Sequence, residues 1–358
     1  MTVTRIPVTP EGQTPYDVTV GAGTRTELAT AIGPATRTAL VHTSSLRWLV
    51  DEAADVLTAA GVDVHLHEVP DGEAAKSVDV AAACWDRLGA AGFTRDDAIV
   101  GVGGGAVTDV AGFVAATWLR GVPVVHVPTT VLAMVDAAIG GKTAINTSAG
   151  KNLVGAFHHP TAVLCDTEVL ATLPDVELIS GMAEVVKAGF ISDPVILDLI
   201  EADPRAPLAR GVVLAELIER AIRVKADVVS DDPTEQGRRE ILNYGHTFGH
   251  AIERAEGFHW RHGEAVAVGM CFVAELAGLL GRLDAATVDR HAAVLTSIGL
   301  PTAYRGDRWA ELADGMRVDK KNRGRHRRFI ILDGLATPVG VDDPPEEMLA
   351  AAYEKVST

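Results

Sequence analysis

Cysteine, lysine and long apolar runs are scarce in this chain of 358 residues. No run of 18 apolar residues occurs, and the start, Met-Thr-Val-Thr-Arg-Ile-Pro, lacks a signal-peptide pattern, so we expect a cytoplasmic protein with no membrane partner. Cys84, Cys165 and Cys271 are an odd number, far apart in apolar segments, which favours buried free thiols over disulfides or zinc thiolates. The formal net charge of −16 argues against nucleic acid as a partner. A local pocket can still be positive, so a small anionic substrate remains open.

Only eight lysines stand beside 24 arginines in the sequence. The chain takes most of its positive charge from arginine, so we expect several lysines to lie where a compact ammonium group is needed and a planar guanidinium would not fit. Lys142 follows two glycines, Lys151 precedes Asn152, and Lys187 stands three residues after Glu184. These positions favour functional roles over chance retention.

Strand-like apolar runs alternate with helical patterns in the first half of the chain. The predicted strands are residues 37–42, 63–69, 97–102, 124–127 and 162–165, with helices at 46–60, 77–91 and 107–119 between them. This alternation predicts an α/β N-terminal domain with a mostly parallel, Rossmann-like sheet, over residues 1–175. Helical patterns dominate residues 176–358, with one late strand at 329–332, so we expect an all-helical C-terminal domain.

The segment from Arg239 to residue 256 reads as one helix that carries a polar stripe. Arg239, Asn243, His246 and His250 are spaced by 4, 3 and 4 residues, which places them on one helix face. The stripe has two interpretations: a solvated surface, or a metal site beside an anion site. His246 and His250 have the i, i+4 spacing of H-E-x-x-H metal helices, but Thr247 stands where the glutamate would be. Which histidines bind metal therefore stays open from the spacing alone.

A glycine-rich turn follows the strand predicted at residues 97–102. The pattern Gly101-x-Gly103-x-x-Ala106 precedes a helix, where backbone N–H groups can approach a phosphate, although this match alone is weak. Residues 71–76, 128–130, 136–143 and 151–152 add acids, hydroxyls and lysines in further turns. Together these turns predict a dinucleotide site.

Taken in order, these segments resemble the 3-dehydroquinate synthases, a branch of the sugar phosphate cyclases. The matching segments are residues 71–76, 103–109, 128–130, 136–143, 151–152, 181–187, 225, 239–250, 262–264 and 319–321. The chain departs from the family's pattern at Thr108, Ala137-Ala138 and His42.

The resemblance implies NAD and one divalent metal, zinc or cobalt, as cofactors, and a homodimer. It implies Glu184, His246 and His262 as the metal ligands, with His250 facing the substrate phosphate. The implied substrate contacts are Asp136, Lys142, Asn152, Lys187, Lys225, Arg239, Asn243, His250 and Lys320, with Arg120 reaching across the dimer. The implied NAD contacts are Asp71, Gly72, Glu73, Lys76, Gly103, Gly104, Gly105, Asp109, Thr129, Thr130, Lys142, Lys151, Val169, Leu170 and Thr172.

The activity implied by the resemblance is that of a phosphate-eliminating carbon–oxygen lyase. Its substrate would be 3-deoxy-D-arabino-heptulosonate 7-phosphate and its products 3-dehydroquinate and phosphate, in the shikimate pathway to aromatic amino acids. The steps are transient oxidation by NAD, β-elimination of phosphate, reduction, ring opening and an intramolecular aldol. Other sugar phosphate cyclases, a metal-dependent polyol dehydrogenase and a non-catalytic binding protein are the alternatives.

Overall fold

The computed structural model describes residues 3–323 and 327–358, and the side chains of residues 318–323 are not among those described. The chain divides into two compact units. One comprises the residues up to Pro174 together with Lys225–Thr234, and the other comprises Asp175–Val224 and Glu235–Thr358. Nothing in the sequence pattern predicts that residues 225–234 belong with the first unit.

A large, mostly parallel sheet forms the centre of the first unit. The strands are β1 Thr4–Val8, β2 Tyr16–Gly21, β3 Arg37–His42, β4 Asp63–Glu68, β5 Ala98–Gly103, β6 Val124–Pro128, β7 Lys142–Thr147, β8 Gly150–Phe157 and β9 Ala162–Asp166. Seven of them form the sheet in the order β1-β2-β9-β6-β5-β3-β4. Its neighbouring strands are parallel except for β1 with β2. The predicted α/β fold with a mostly parallel sheet is confirmed.

Helices connect the central strands of this sheet. They are α1 Leu28–Ala31, α2 Arg47–Ala59, α3 Val78–Ala90 and α4 Gly105–Thr117. On α3, Ala81, Cys84 and Leu88 are buried at helical spacing, and the Ser77 hydroxyl accepts the Val80 N–H to cap its start. The chain runs from β3 outward to β4 and returns to β5 on the other side of β3. The carboxyl ends of β3 and β5 therefore flank a topological switch point, where open α/β sheets bind ligands.

The hairpin of β7 and β8 lies outside the large sheet and is absent from the sequence prediction. The sequence predicts a glycine turn with a lysine at residues 136–143. In the structure, Lys142 instead begins strand β7 and pairs with Phe157. Glycines at positions 141, 150 and 155 obscure the alternation of polar and apolar residues that marks a strand. Strands β1 and β2 are also absent from the sequence prediction, although polar and apolar residues alternate along both of them.

The remaining elements are mostly helical. They are α5 Asp175–Ile191, α6 Val195–Ala202, α7 Val212–Asp231, α8 His246–Ala255, α9 His262–Leu279, α10 Ala285–Ser297, α11 Trp309–Arg323 and α12 Glu346–Lys355, with the hairpin β10 Arg328–Leu332 and β11 Pro338–Asp342. This confirms the helical C-terminal half, and the hairpin supplies a partner for the late predicted strand. In length and composition α9 could cross a membrane, but 72% of it is buried within the protein, as in a core helix. Phe248 of α8 stacks on Phe272 of α9 with ring centroids 4.1 Å apart.

The single helix predicted from Arg239 to residue 256 is wrong. Residues Arg238–Asn243 form a 3-10 helix, and α8 begins only at His246. Between them Gly245 has a left-handed φ of +80°, and a Cβ atom there would lie 2.8 Å from the backbone nitrogen of Met270. Only a glycine fits this close contact with α9. Its left-handed backbone conformation separates the 3-10 helix from α8. The polar stripe therefore does not lie on one continuous helix face.

Candidate active site

Three side chains from three helices of the second unit converge. Glu184 lies on α5, His246 begins α8 and His262 begins α9. Their ligand atoms all lie within 4.8 Å of one another. Glu184 Oε1 is 3.6 Å from His246 Nε2 and 3.4 Å from His262 Nε2. Two imidazole nitrogens and a carboxylate oxygen are a donor set that suits zinc and leaves a coordination position for substrate.

A close backbone contact sets the distance between α5 and α9 beside this cluster. A Cβ atom on Gly263, the residue after His262, would lie 1.8 Å from the carbonyl oxygen of Ser180. The Gly263 N–H instead donates to Ser180 Oγ at 3.2 Å. Ser180 is one turn before Glu184, so the glycine lets His262 lie at the level of the carboxylate.

The pKa values of the two histidines shift in opposite directions. Burial lowers the pKa of His246 well below its usual value, and the Lys187 ammonium acts in the same direction. Burial also lowers the pKa of His262, but hydrogen bonds to Glu184 and Glu253 outweigh it and raise the pKa to about 10. Two carboxylates beside one imidazole favour positive charge at this point, which a proton or a divalent cation can supply.

Glu253 is a site residue that the sequence analysis misses. Its Oε2 lies 3.5 Å from His262 Nδ1 and 4.0 Å from His250 Nε2. Ligand atoms of His250, Glu253 and His262 also lie within 4.8 Å of one another, so they form a second possible metal group that shares His262. His262 faces Glu184 with Nε2 and Glu253 with Nδ1, an arrangement in which one nitrogen binds metal while the other is held by a carboxylate. The i, i+3 spacing of His250 and Glu253 on α8 is the signal in the sequence.

Lys187 lies one turn after Glu184 on α5, and its ammonium forms an ion pair with the Glu184 carboxylate. The prediction that the two share a helix face is confirmed. Both side chains are buried, so the ammonium is held in place beside the histidine cluster.

Arg239 and Asn243 lie on the 3-10 helix just before α8. Arg239 is buried, and Asn243 Nδ2 donates to Glu235 Oε1 at 2.7 Å. Glu235, which has a left-handed φ of +58°, is a second residue missing from the sequence prediction, and unlike Glu253 it has no signal in the sequence. Lys320 lies outside the residues whose side chains are described.

In the first unit, the predicted order of strand, glycine turn and helix is confirmed. β5 ends at Gly103, Gly104 caps the helix, and α4 begins at Gly105. The Thr129 N–H donates to the Gly103 carbonyl at 2.9 Å, and Thr130 Oγ1 accepts the Ala133 N–H at 3.1 Å. The turn lies at the switch point and opens a helix of 13 residues, as in sites that bind dinucleotide phosphates.

Lys76 brings two further predicted residues together. Its buried ammonium donates to Asp109 on α4 and to the side-chain oxygen of Asn152 on β8. Burial raises the pKa of Asp109 to about 6, although the Lys76 charge opposes that shift. Near this group, Lys151 Nζ lies 3.7 Å from Glu73 Oε1. Residues predicted to bind cofactor and substrate are thus interleaved in the first unit.

Lys225 and Asp136 form another pair within the first unit. Lys225 Nζ donates to the Asp136 carbonyl at 2.5 Å and also to its carboxylate. Asp136 lies in a π-helical turn, Ala133–Ala137, a conformation common at functional sites.

The other predicted contacts lie in turns and at element ends. Lys142 is exposed at the start of β7, Arg120 is exposed with a φ of +71°, and Asp71 accepts the Ser45 hydroxyl at 3.1 Å. Gly72 begins a 3-10 turn, and Val169, Leu170 and Thr172 lie in the 3-10 segment Thr167–Thr172, where the first two are buried.

Two solved synthases share this fold and identify its class. The chain is 27% identical to 2-epi-5-epi-valiolone synthase ValA from Streptomyces hygroscopicus subsp. jinggangensis 5008, solved with NAD+ and Zn2+, with a TM-score of 0.88 over 98% of both chains. It is 28% identical to a 2-deoxy-scyllo-inosose synthase complexed with carbaglucose-6-phosphate, NAD+ and Co2+, with a TM-score of 0.84 over 98% of this chain and 100% of that one. The fold is that of the sugar phosphate cyclases.

The family within that class follows from the sequence comparisons. Residues 66–180 match the model of the 3-dehydroquinate synthase N-terminal region, and residues 181–322 match that of the C-terminal region. The chain is 59% identical to 3-dehydroquinate synthase of Thermobifida fusca strain YX over 359 residues, covering 100% of this chain and 97% of that protein. The chain belongs to the 3-dehydroquinate synthase family.

Proposed function

We propose that this protein converts 3-deoxy-D-arabino-heptulosonate 7-phosphate to 3-dehydroquinate and phosphate, with NAD and one divalent metal, zinc or cobalt. The observation that carries the proposal is the convergence of Glu184, His246 and His262, with the Lys187 ammonium paired to the same glutamate. A metal group and a buried cation on adjacent turns suit a substrate that has both hydroxyl and phosphate groups. Membership of the family supports this substrate.

Glu184, His246 and His262 would hold the metal, and Glu253 would orient His262 through Nδ1. A bound divalent ion supplies Lewis acidity, which polarises a substrate hydroxyl. His250 points its Nε2 toward Glu253 at 4.0 Å and has a side chain 41% exposed, which leaves it accessible to a substrate phosphate. We assign His250 to the phosphate rather than to the metal.

NAD would be held by the glycine turn of residues 103–105 and by the turn of residues 71–76. NAD supplies reversible hydride transfer. Asp109 is held by Lys76, so a carboxylate is fixed on the first turns of α4, beside the proposed dinucleotide site. The predicted cofactor domain of residues 1–175 would gain Lys225–Thr234, and the rest of residues 176–358 would form the metal- and substrate-binding domain.

The substrate would be bound by cationic side chains and by amide and imidazole donors. These are Lys142, Asn152, Lys187, Lys225, Arg239, Asn243, His250 and Lys320, with Asp136 fixing Lys225. Cations that are already held in place lose little entropy on binding, and they stabilise the phosphate as it leaves.

A homodimer completes the proposal. On β8, Leu153, Val154 and Phe157 are each between 45% and 48% exposed, an apolar strand surface that a second copy of the chain would cover. Arg120, in a strained turn after α4, would then reach the partner's substrate. The three buried free thiols suit the reducing environment of the cytoplasm.

The test is phosphate release by the purified protein with substrate and a catalytic amount of NAD+. We expect phosphate to be released without accumulation of NADH, because the hydride returns to the product. Steady accumulation of NADH would instead indicate a simple dehydrogenase. A panel of sugar phosphates separates the proposed reaction from those of the valiolone and inosose synthases, whose structures are similar to this one.

A further inference from the structure

Asn146 lies at an irregularity in the β7–β8 hairpin. The ladder pairs Ile145 with Val154 and Thr147 with Gly150, and its register shifts between Ile145 and Thr147, so that Asn146 falls outside the regular pairing. Bulges of this kind redirect a side chain away from its ladder position and are common next to functional sites.

The redirected residue makes three hydrogen bonds to segments of the proposed cofactor and substrate sites. Asn146 Nδ2 donates to Glu73 Oε2 at 2.6 Å, and Asn146 Oδ1 accepts the Asn152 backbone N–H at 3.0 Å. The Asn146 backbone N–H donates to the Lys76 carbonyl at 2.7 Å. A carboxylate needs a donor and an N–H needs an acceptor, so only one orientation of the side-chain amide satisfies both partners.

The two partners of this amide belong to different parts of the proposed site. Glu73 lies in the turn assigned to NAD, whereas Asn152 is assigned to the substrate. Asn152 has a left-handed φ of +58°, a conformation that asparagine adopts more readily than most residues with a side chain, and its side-chain oxygen accepts a hydrogen bond from Lys76. The bond from Asn146 fixes the Asn152 backbone in that conformation.

We propose that Asn146 is a positioning residue that joins the cofactor-binding acid Glu73 to the substrate-binding Asn152, so that the two are placed as one unit. The inference rests on the proposed function for the roles of Glu73 and Asn152. An asparagine is suited to this position because it offers a donor to the carboxylate and an acceptor to the backbone at the same time.

Two substitutions separate the two halves of this role. Asn146→Asp keeps an acceptor for the Asn152 N–H but places a second carboxylate against Glu73, whereas Asn146→Ala removes both bonds. The measurements are the Kd for NAD+ by titration of purified protein without substrate, and the KM for the sugar phosphate at saturating NAD+. For Asn146→Asp we expect the Kd for NAD+ to rise about tenfold, with less than about a threefold change in KM. For Asn146→Ala we expect both constants to rise.

Thr147→Ala is the matched control on the same hairpin. It removes the acceptor for the Ala149 N–H at 3.2 Å and leaves the three Asn146 bonds in place, so both constants should stay at the wild-type values. Thermal unfolding checks that every variant is folded. Unchanged constants in both Asn146 variants, or equal changes in Thr147→Ala, would overturn the proposal. If the wild type fails to release phosphate, the proposed function fails, whereas the NAD+ titration still tests the link from Asn146 to Glu73.

Discussion

Replacing Gly245 by alanine should damage both the stability and the metal site of the helical unit. Gly245 has a φ of +80°, and an added Cβ atom would lie 2.8 Å from Met270 N, 2.9 Å from Met270 Cγ and 3.1 Å from the carbonyl carbon of Gly269. Two of these three atoms belong to the backbone of α9, which cannot move without shifting the helix. His246 is the next residue, so any shift of α8 also moves a proposed metal ligand.

The expected magnitude has two parts. An alanine in the left-handed region costs about 1–2 kcal/mol relative to glycine. Crowding against a packed backbone adds about 1–3 kcal/mol. Gly281 separates the two parts, because it has a φ of +69° but a Cβ atom there would meet nothing within 4 Å. Gly281→Ala should therefore carry only the conformational cost.

The assay is thermal unfolding of Gly245→Ala and Gly281→Ala beside the wild type, with the zinc content of each. Because only Gly245→Ala carries the crowding, its thermal-unfolding midpoint should be roughly 2–12 °C lower than that of Gly281→Ala. Gly245→Ala should also bind less than half of the wild-type zinc, while Gly281→Ala binds the full amount. Equal midpoints and equal zinc content in the two variants would refute the argument that the contact with α9 positions His246.

Two other predictions concern histidines. His246→Ala should lose zinc, whereas His250→Ala should keep zinc and lose turnover; elemental analysis with a phosphate-release assay checks this, and equal zinc loss in both would reverse the ligand assignment. His291 is stacked on Phe190 and bonded to the Thr287 carbonyl through Nδ1 at 2.7 Å, and burial lowers its pKa to about 4. The pKa of His291 is lower in the folded state than in the unfolded state, so its contribution to the free energy of unfolding is present at neutral pH. That contribution is lost as the pH falls from about 6.5 toward 4, and the loss is about 2 kcal/mol at pH 5. Denaturant unfolding gives the free energy of unfolding of the wild type and of His291→Gln. The difference between these two free energies should change by that amount between pH 7 and pH 5, and a difference that stays constant would contradict the lowered pKa of His291.

Local patterns in the sequence predicted the strands and helices that can be recognised from residues close together in the chain. The strands β3, β5 and β6 are buried along almost their whole length and rich in aliphatic residues, and the helices between them have regular apolar spacing, so the parallel sheet was predictable. The shared face of Glu184 and Lys187 also followed from helix geometry, because both lie on the uninterrupted helix α5. The resemblance to a family supplied the proposed metal ligands, which spacing left open.

Only the tertiary structure decided how separate elements meet. The break at Gly245 depends on a contact with α9, the second carboxylate at His262 comes from α8, and Asn146 reaches a turn about seventy positions earlier in the chain. Such contacts join backbone and side chains that are distant in sequence, and no periodic pattern in the sequence predicts them. The sequence by itself therefore determined which residues were available for the chemistry, and packing decided which of them share one site.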